Sequence, residues 1–195
     1  MKEILGLLAT AIALAGYIPY FRDIWAGRTK PHAFSWLVWG ILTAIGFFSQ
    51  ISDGAGPGAW VTGFTALVCV FIFSAALKNG RKDITALDWM SLVGAIFALI
   101  CWWVTKTAFL SVLLISLIDL LGLVPTVRKS YYKPYEETLI TYVLSGFKFV
   151  LAIAALEKMS FITAFYPASL IFSNFFFVTL LVIRRRALVA LADAK

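Results

Sequence analysis

Apolar residues along this chain fall into seven long runs, at about 3–20, 32–51, 58–77, 86–104, 107–125, 138–156 and 162–183. Between them lie turn and charge signals: Arg28-Thr29-Lys30-Pro31, Gly54-Ala55-Gly56-Pro57, Lys78-Asn79-Gly80-Arg81-Lys82 and Lys133-Pro134. The break at Thr105-Lys106 is the weakest, but runs four and five together are too long for one crossing. Each run is near the length of about 20 residues that a membrane helix needs. Helix is the expected form, because an open sheet in lipid leaves backbone groups unsatisfied. The pattern predicts an all-α membrane protein with seven transmembrane helices.

Composition agrees. The chain has 195 residues, 62% of them hydrophobic and 14% charged, with a mean hydropathy of +0.91. A soluble domain is about 45–50% apolar and about 25% charged. The first run has the look of a secretion signal, with Lys2 and small residues at Ala13 and Ala15. It is read as a retained span because it has an internal counterpart, described below.

Net charge is +7, and its placement explains it without nucleic acid. Thirteen of the 17 Lys and Arg residues follow runs one, three, five and seven, whereas only Lys2, Lys106 and Lys158 lie on the other side. Positive loops face the cytoplasm. The N-terminus is therefore expected outside and the C-terminus inside, in a plasma membrane of bacterial inner-membrane type. Arg184-Arg185-Arg186 reads as a headgroup anchor.

The chain also matches itself at a shift of 106 residues. Gly16, Pro19, Arg22 and Gly40 meet Gly122, Pro125, Arg128 and Gly146, and Ser35 meets Thr141. The repeat covers runs one to three and five to seven and leaves run four as a linker. Two three-helix units in the same orientation need one extra crossing between them, and the linker supplies it. The expected organisation is two parallel three-helix repeats joined by a linker helix: residues 1–77, a linker at 78–106, residues 107–186, and a cytoplasmic tail at 187–195. Parallel repeats of this kind place a cavity between the bundles.

This arrangement resembles the SWEET sugar transporters and the wider PQ-loop superfamily, which includes the lysosomal cystine exporter and vitamin transporters of the PnuC type. The residues that carry the resemblance are Pro19-Tyr20 with Arg28, Thr29, Lys30 and Ser35, and Pro125-Thr126 with Arg128, Lys129, Lys133 and Thr141. The Pro-Gln dipeptide itself is absent, and runs two and six lack the family's prolines. The resemblance implies alternating access. It also implies a substrate-contacting asparagine in the seventh helix, matched by Asn174, with Val68 in the corresponding place of the first repeat. An aromatic face against the substrate is implied too, with Trp36, Trp39 and Tyr142 as candidates, and a fifth-helix aspartate matched by Asp119.

Other candidates come from the residues themselves. Asp119 and Lys148 interrupt apolar runs, at about 10 Å and about 16 Å from the shared cytoplasmic loop at about 1.5 Å per residue. Charges in such places are costly, and they face a cavity or each other. The expectation is that they pair, or bracket a polar ligand, beside Asn174; a purely structural ion pair is the alternative. Trp39 lies deeper than an interfacial anchor needs to. Ser145, Ser173 and Thr141 offer hydroxyls or close packing. Pro19 and Pro125 are paired hinges or helix ends. Gln50 and Asp88 are expected near helix termini, where water or the helix dipole satisfies them. Phe175-Phe176-Phe177 is expected to pack and to meet lipid. Cys69 and Cys101 are expected to be buried small side chains.

The expected function is a small-solute membrane transporter for a sugar, an amino acid or a similar polar metabolite. A non-transporting receptor or assembly factor on the same fold is the alternative. An enzyme is not expected, since His32 is the single histidine and no nucleophile, base or metal-ligand cluster is visible. No cofactor is expected. The expected partners are lipid and a polar small molecule, with a homo-oligomer left open.

Overall fold

The structure, a computed structural model, describes residues 1–79, 85–105 and 107–193. Within them are seven α-helices: α1 (Lys2–Trp25), α2 (Ala33–Ser52), α3 (Trp60–Asn79), α4 (Ala86–Thr105), α5 (Ala108–Tyr132), α6 (Leu139–Ala154) and α7 (Phe161–Asp193). Short 3₁₀ turns at Gly56–Ala59 and Pro134–Glu136 precede α3 and α6. Among the described residues there is no strand. Five segments are long and apolar enough to cross a membrane: Lys2–Trp25, Ala33–Ser52, Gly56–Lys78, Ala108–Tyr132 and Phe161–Ala190. They mark a membrane-embedded protein. Helix α6 is apolar but has only 16 residues.

The distribution of side-chain size suits lipid as the solvent. Along α1 the buried positions are Gly6, Ala9, Ala13, Gly16, Tyr17, Tyr20 and Ile24, spaced by three or four residues apart from the adjacent Gly16 and Tyr17. Its large apolar residues Ile4, Leu7, Leu14 and Ile18 point outward and are exposed. Small residues let helix backbones approach closely, and lipid takes the bulky ones. One such close approach is at Gly58. A Cβ there would lie 2.6 Å from Leu156 and 2.8 Å from the carbonyl oxygen of Ala152, so the turn before α3 seats directly on α6.

Polar contacts fix which helix ends meet. At one end, Thr138 donates to Asp23 at 2.9 Å, Lys129 donates to the carbonyl of Lys30 at 2.9 Å, and Arg185 donates to that of Glu137 at 2.7 Å. Phe34 meets Trp89 there at 5.2 Å between ring centroids. At the opposite end, Gln50 donates to the carbonyl of Thr163 at 2.9 Å, the amide of Glu157 donates to that of Ala55 at 3.1 Å, and Lys2 reaches that of Leu156. Odd-numbered helices therefore run one way and even-numbered helices the other. Helix α3 packs on both α1 and α2, and α7 packs on both α5 and α6. Across the middle, α1 packs on α6 and α2 on α5, while α4 lies against α2 and α5.

Several expectations change. Helices α1 and α5 continue through Pro19 and Pro125 to Trp25 and Tyr132, so neither proline ends its helix. Pro167 likewise lies inside α7, beyond its first turn. Helix α7 continues through Arg184-Arg185-Arg186 to Asp193, about 50 Å in all at about 1.5 Å per residue. Gln50 is not water-satisfied: it is buried, its amide nitrogen is bonded to Thr163, and its oxygen has no partner. Residues 80–84, with Arg81 and Lys82, and also Lys106, Lys195 and the side chains of Asp88 and Trp102, lie outside the described residues.

Candidate functional site

A cavity of about 60 Å³, space on the scale of a few waters, lies between the two groups of helices. Six helices wall it: Tyr17 from α1; Trp36, Trp39 and Thr43 from α2; Thr65 and Cys69 from α3; Asp119 and Leu123 from α5; Thr141, Tyr142, Ser145, Lys148 and Phe149 from α6; and Leu170, Ser173, Asn174 and Phe177 from α7. Helix α4 contributes none of these. The six residues expected at a binding site, Asp119, Lys148, Asn174, Trp39, Tyr142 and Ser145, all face this one space.

Lys148 is 1% exposed. Its ammonium donates to the Tyr17 hydroxyl and to Thr65 Oγ1, each at 2.9 Å. It also lies 4.5 Å from the Tyr17 ring centroid and 4.8 Å from that of Phe149. An ammonium has three N–H bonds, so one remains beyond these two hydroxyls. Asp119 is 3% exposed and accepts no hydrogen bond among the described residues. The expected direct ion pair is absent. Lys148 turns across the interface to hydroxyls on α1 and α3 and leaves Asp119 without a counter-charge. Cys69 lines the same space as both groups.

The remaining wall is aromatic and amide. Trp36 and Trp39 meet edge to face at 5.1 Å, and Tyr142 lies 4.5 Å from Phe177. Asn174 donates one N–H to the carbonyl of Leu170 at 2.7 Å, which leaves its oxygen and second N–H. Of the phenylalanine run, Phe177 is buried in the cavity wall, whereas Phe176 is exposed.

Toward the end that carries the basic loops, the cavity residue Tyr142 contacts buried charge. Glu137 is 2% exposed. One carboxylate oxygen accepts from Tyr142 at 3.0 Å and from Tyr20 at 3.1 Å; the other accepts from Lys129. Tyr142 thus belongs to both the cavity and this cluster. Beside it, Thr141 donates to the carbonyl of Gly16 at 2.8 Å, and Ser35 donates to that of Gly122 at 3.1 Å.

Sequence reasoning missed Tyr17, Thr43, Thr65 and the cavity role of Cys69, as well as the buried cluster of Glu137, Lys129 and Tyr20. Helix α3 presents Thr65 and Cys69, not Val68, to the cavity. Thr65 gave no signal of its own, because a hydroxyl in an apolar run usually bonds to its own helix. Thr65 does so as well, donating to the carbonyl of Val61 at 2.7 Å. The repeat contained one usable signal, the Ser35–Thr141 match. The chain matches no family model, no curated protein and no solved structure.

Proposed function

We propose that this protein is a seven-span membrane transporter for a small polar solute, built as two parallel three-helix repeats joined by α4 and working by alternating access. The observation that carries this reading is the cavity itself. It is walled by six helices, three from each half, and holds Lys148 and Asp119 in the apolar interior with no ion pair between them. Intramembrane charges that face a cavity mark solute pathways more often than packing.

The repeat reading draws support from the matching contacts: α3 on α1 and α2 against α7 on α5 and α6, and α1 on α6 against α5 on α2. The orientation, N-terminus outside in a plasma membrane, draws support from the gathering of Arg28, Lys30, Lys129, Lys133 and Arg185 at one end. The SWEET-like reading rests on the Gly-x-x-Pro-x-x-Arg segments and on this topology. In it, Pro19 and Pro125 are paired hinges, since proline removes a backbone hydrogen bond and permits bending.

The test is solute uptake by proteoliposomes holding purified protein, with labelled sugars, amino acids and vitamins supplied in turn. Saturable uptake or counterflow of one class, absent from protein-free vesicles, is the expected result. No flux of any class from well-folded protein would move the assignment to the receptor or assembly-factor reading.

A further inference from the structure

We infer that the cavity takes a small zwitterion, its ammonium against Asp119 and its carboxylate against Lys148; this inference rests on the transporter reading above and names the substrate class.

The cavity holds one acid and one base, both nearly fully buried and both without an ionic partner. Lys148 is solvated by two neutral hydroxyls, Tyr17 and Thr65, which orient its ammonium without neutralising it. Asp119 has no hydrogen-bond donor among the described residues. A buried carboxylate without partners is costly, and a ligand that supplies an ammonium removes that cost. A ligand with a single positive charge would be repelled by Lys148, and one with a single negative charge by Asp119. A neutral polyol would leave both charges uncompensated. A zwitterion answers both at once and adds no net charge to the membrane interior.

Two further features fit. A Cβ at Gly122, three residues after Asp119 and so on the same face of α5, would lie 3.6 Å from Trp39 Nε1. Trp39 therefore packs on the side of α5 that carries Asp119, and both line the same space. The space also presents Asn174, whose oxygen and second N–H remain for a polar ligand.

The experiment is a thermal-shift titration of the purified full-length protein in detergent. The probes are glycine, L-alanine and β-alanine as zwitterions, ethylamine as the cation, propionate as the anion, and glucose as the neutral polyol. Ligands that bind the folded state raise its midpoint by mass action. The expected result is a saturable shift with at least one zwitterion and none with the three controls. Asp119→Asn and Lys148→Met should each weaken the response at least tenfold. Should a single variant not fold, Asp119→Asn with Lys148→Met removes both charges together and must abolish the response. A response retained in that double variant would overturn the inference, as would a shift with a control probe but no zwitterion, or no shift at all. Proteoliposome flux separates the two claims. Sugar uptake without amino acid binding sinks the zwitterion and keeps the transporter, whereas amino acid binding without flux keeps the site and sinks the transporter.

Discussion

Thr141 on α6 donates its hydroxyl to the carbonyl oxygen of Gly16 on α1 at 2.8 Å, three residues before Pro19. The same relationship recurs 106 residues away in register: Ser35 on α2 donates to the carbonyl of Gly122 on α5 at 3.1 Å, three residues before Pro125. A proline offers no N–H to the preceding turn and its ring pushes that turn open. In lipid a freed carbonyl has no water to turn to. The carbonyl so freed belongs to Ala15 or Leu121, four residues before the proline; the hydroxyl from the opposite half bonds the next carbonyl along, Gly16 or Gly122, and ties each proline segment to the other half of the molecule.

Thr141→Val and Ser35→Ala should therefore each lower stability by about 1 kcal/mol, the net value of one such bond. Thr141→Ser should recover most of the loss. Thermal denaturation in detergent measures both. Equal stability of Thr141→Val and wild type would mean that this contact adds nothing to the stability of the fold.

Glu137 and Lys129 form a buried ion pair beneath the cavity, with Tyr20 and Tyr142 on the same carboxylate. Removing one member of such a pair strands the other charge and costs about 3–5 kcal/mol. Glu137→Gln should destabilise on that scale, and the double variant with Lys129→Met should be the more stable of the two. Denaturation midpoints decide the order.

Met159 and Tyr132 are exposed at opposite ends of the bundle. In a Cys101→Ser background, with Cys69 buried, Met159→Cys should react in whole cells with a reagent that cannot cross the membrane. Tyr132→Cys should react only after the membrane is opened. The reverse pattern would invert the proposed orientation.

Asp53 follows α2 and receives hydrogen bonds from the Lys158 ammonium at 2.7 Å and from Ser160 at 2.5 Å, which hold its carboxyl below the ordinary value. A folded-state value below the unfolded one, about 3.9, adds stability above that pH, and the contribution is lost as pH falls through the folded value. Asp53→Asn should flatten the acid limb below about pH 4. Because Lys158 is exposed, the loss at neutral pH should not exceed about 1 kcal/mol. Stability curves from pH 3 to pH 7 compare the two, on a scale set by about 3.9 for a free aspartate.

Gly58→Ala would place a Cβ 2.8 Å from the carbonyl oxygen of Ala152 and 2.9 Å from the amide nitrogen of Leu156. Backbone on α6 cannot swing aside as a side chain does, so the turn must lift. Overpacking of this kind costs about 1–3 kcal/mol. Gly54→Ala, where open space surrounds the Cβ but φ is +79°, isolates the backbone term.

Much of the architecture was legible because lipid imposes a simple rule. Backbone groups must be satisfied within each span, so run length and Gly/Pro breaks predict helices, as they do for α1 to α3 and for α5. Lys148 and Asp119 were legible as candidates because a charge in an apolar run is rare and costly. Their partners were not, since side-chain direction across an interface depends on helix rotation, which apolar runs of nearly uniform hydropathy do not encode. Lys148 finds Tyr17 on α1, 131 positions away in sequence, in place of Asp119 on α5 of its own half.

The sequence by itself determined that the chain is helical and apolar on its outside, where the basic residues gather, and that its first and second halves echo each other. These follow from local composition and spacing, because hydrophobic burial in lipid and backbone satisfaction act span by span. Tertiary structure alone decided that Thr65 and Cys69, and not Val68, meet the cavity, that Glu137 gathers Tyr20, Tyr142 and Lys129 beside it, and that Asp119 and Lys148 face one space unpaired. Those outcomes depend on how six helices rotate and settle against one another, and close packing of small residues such as Gly16, Gly58 and Gly122 sets that rotation only once all the helices are in place.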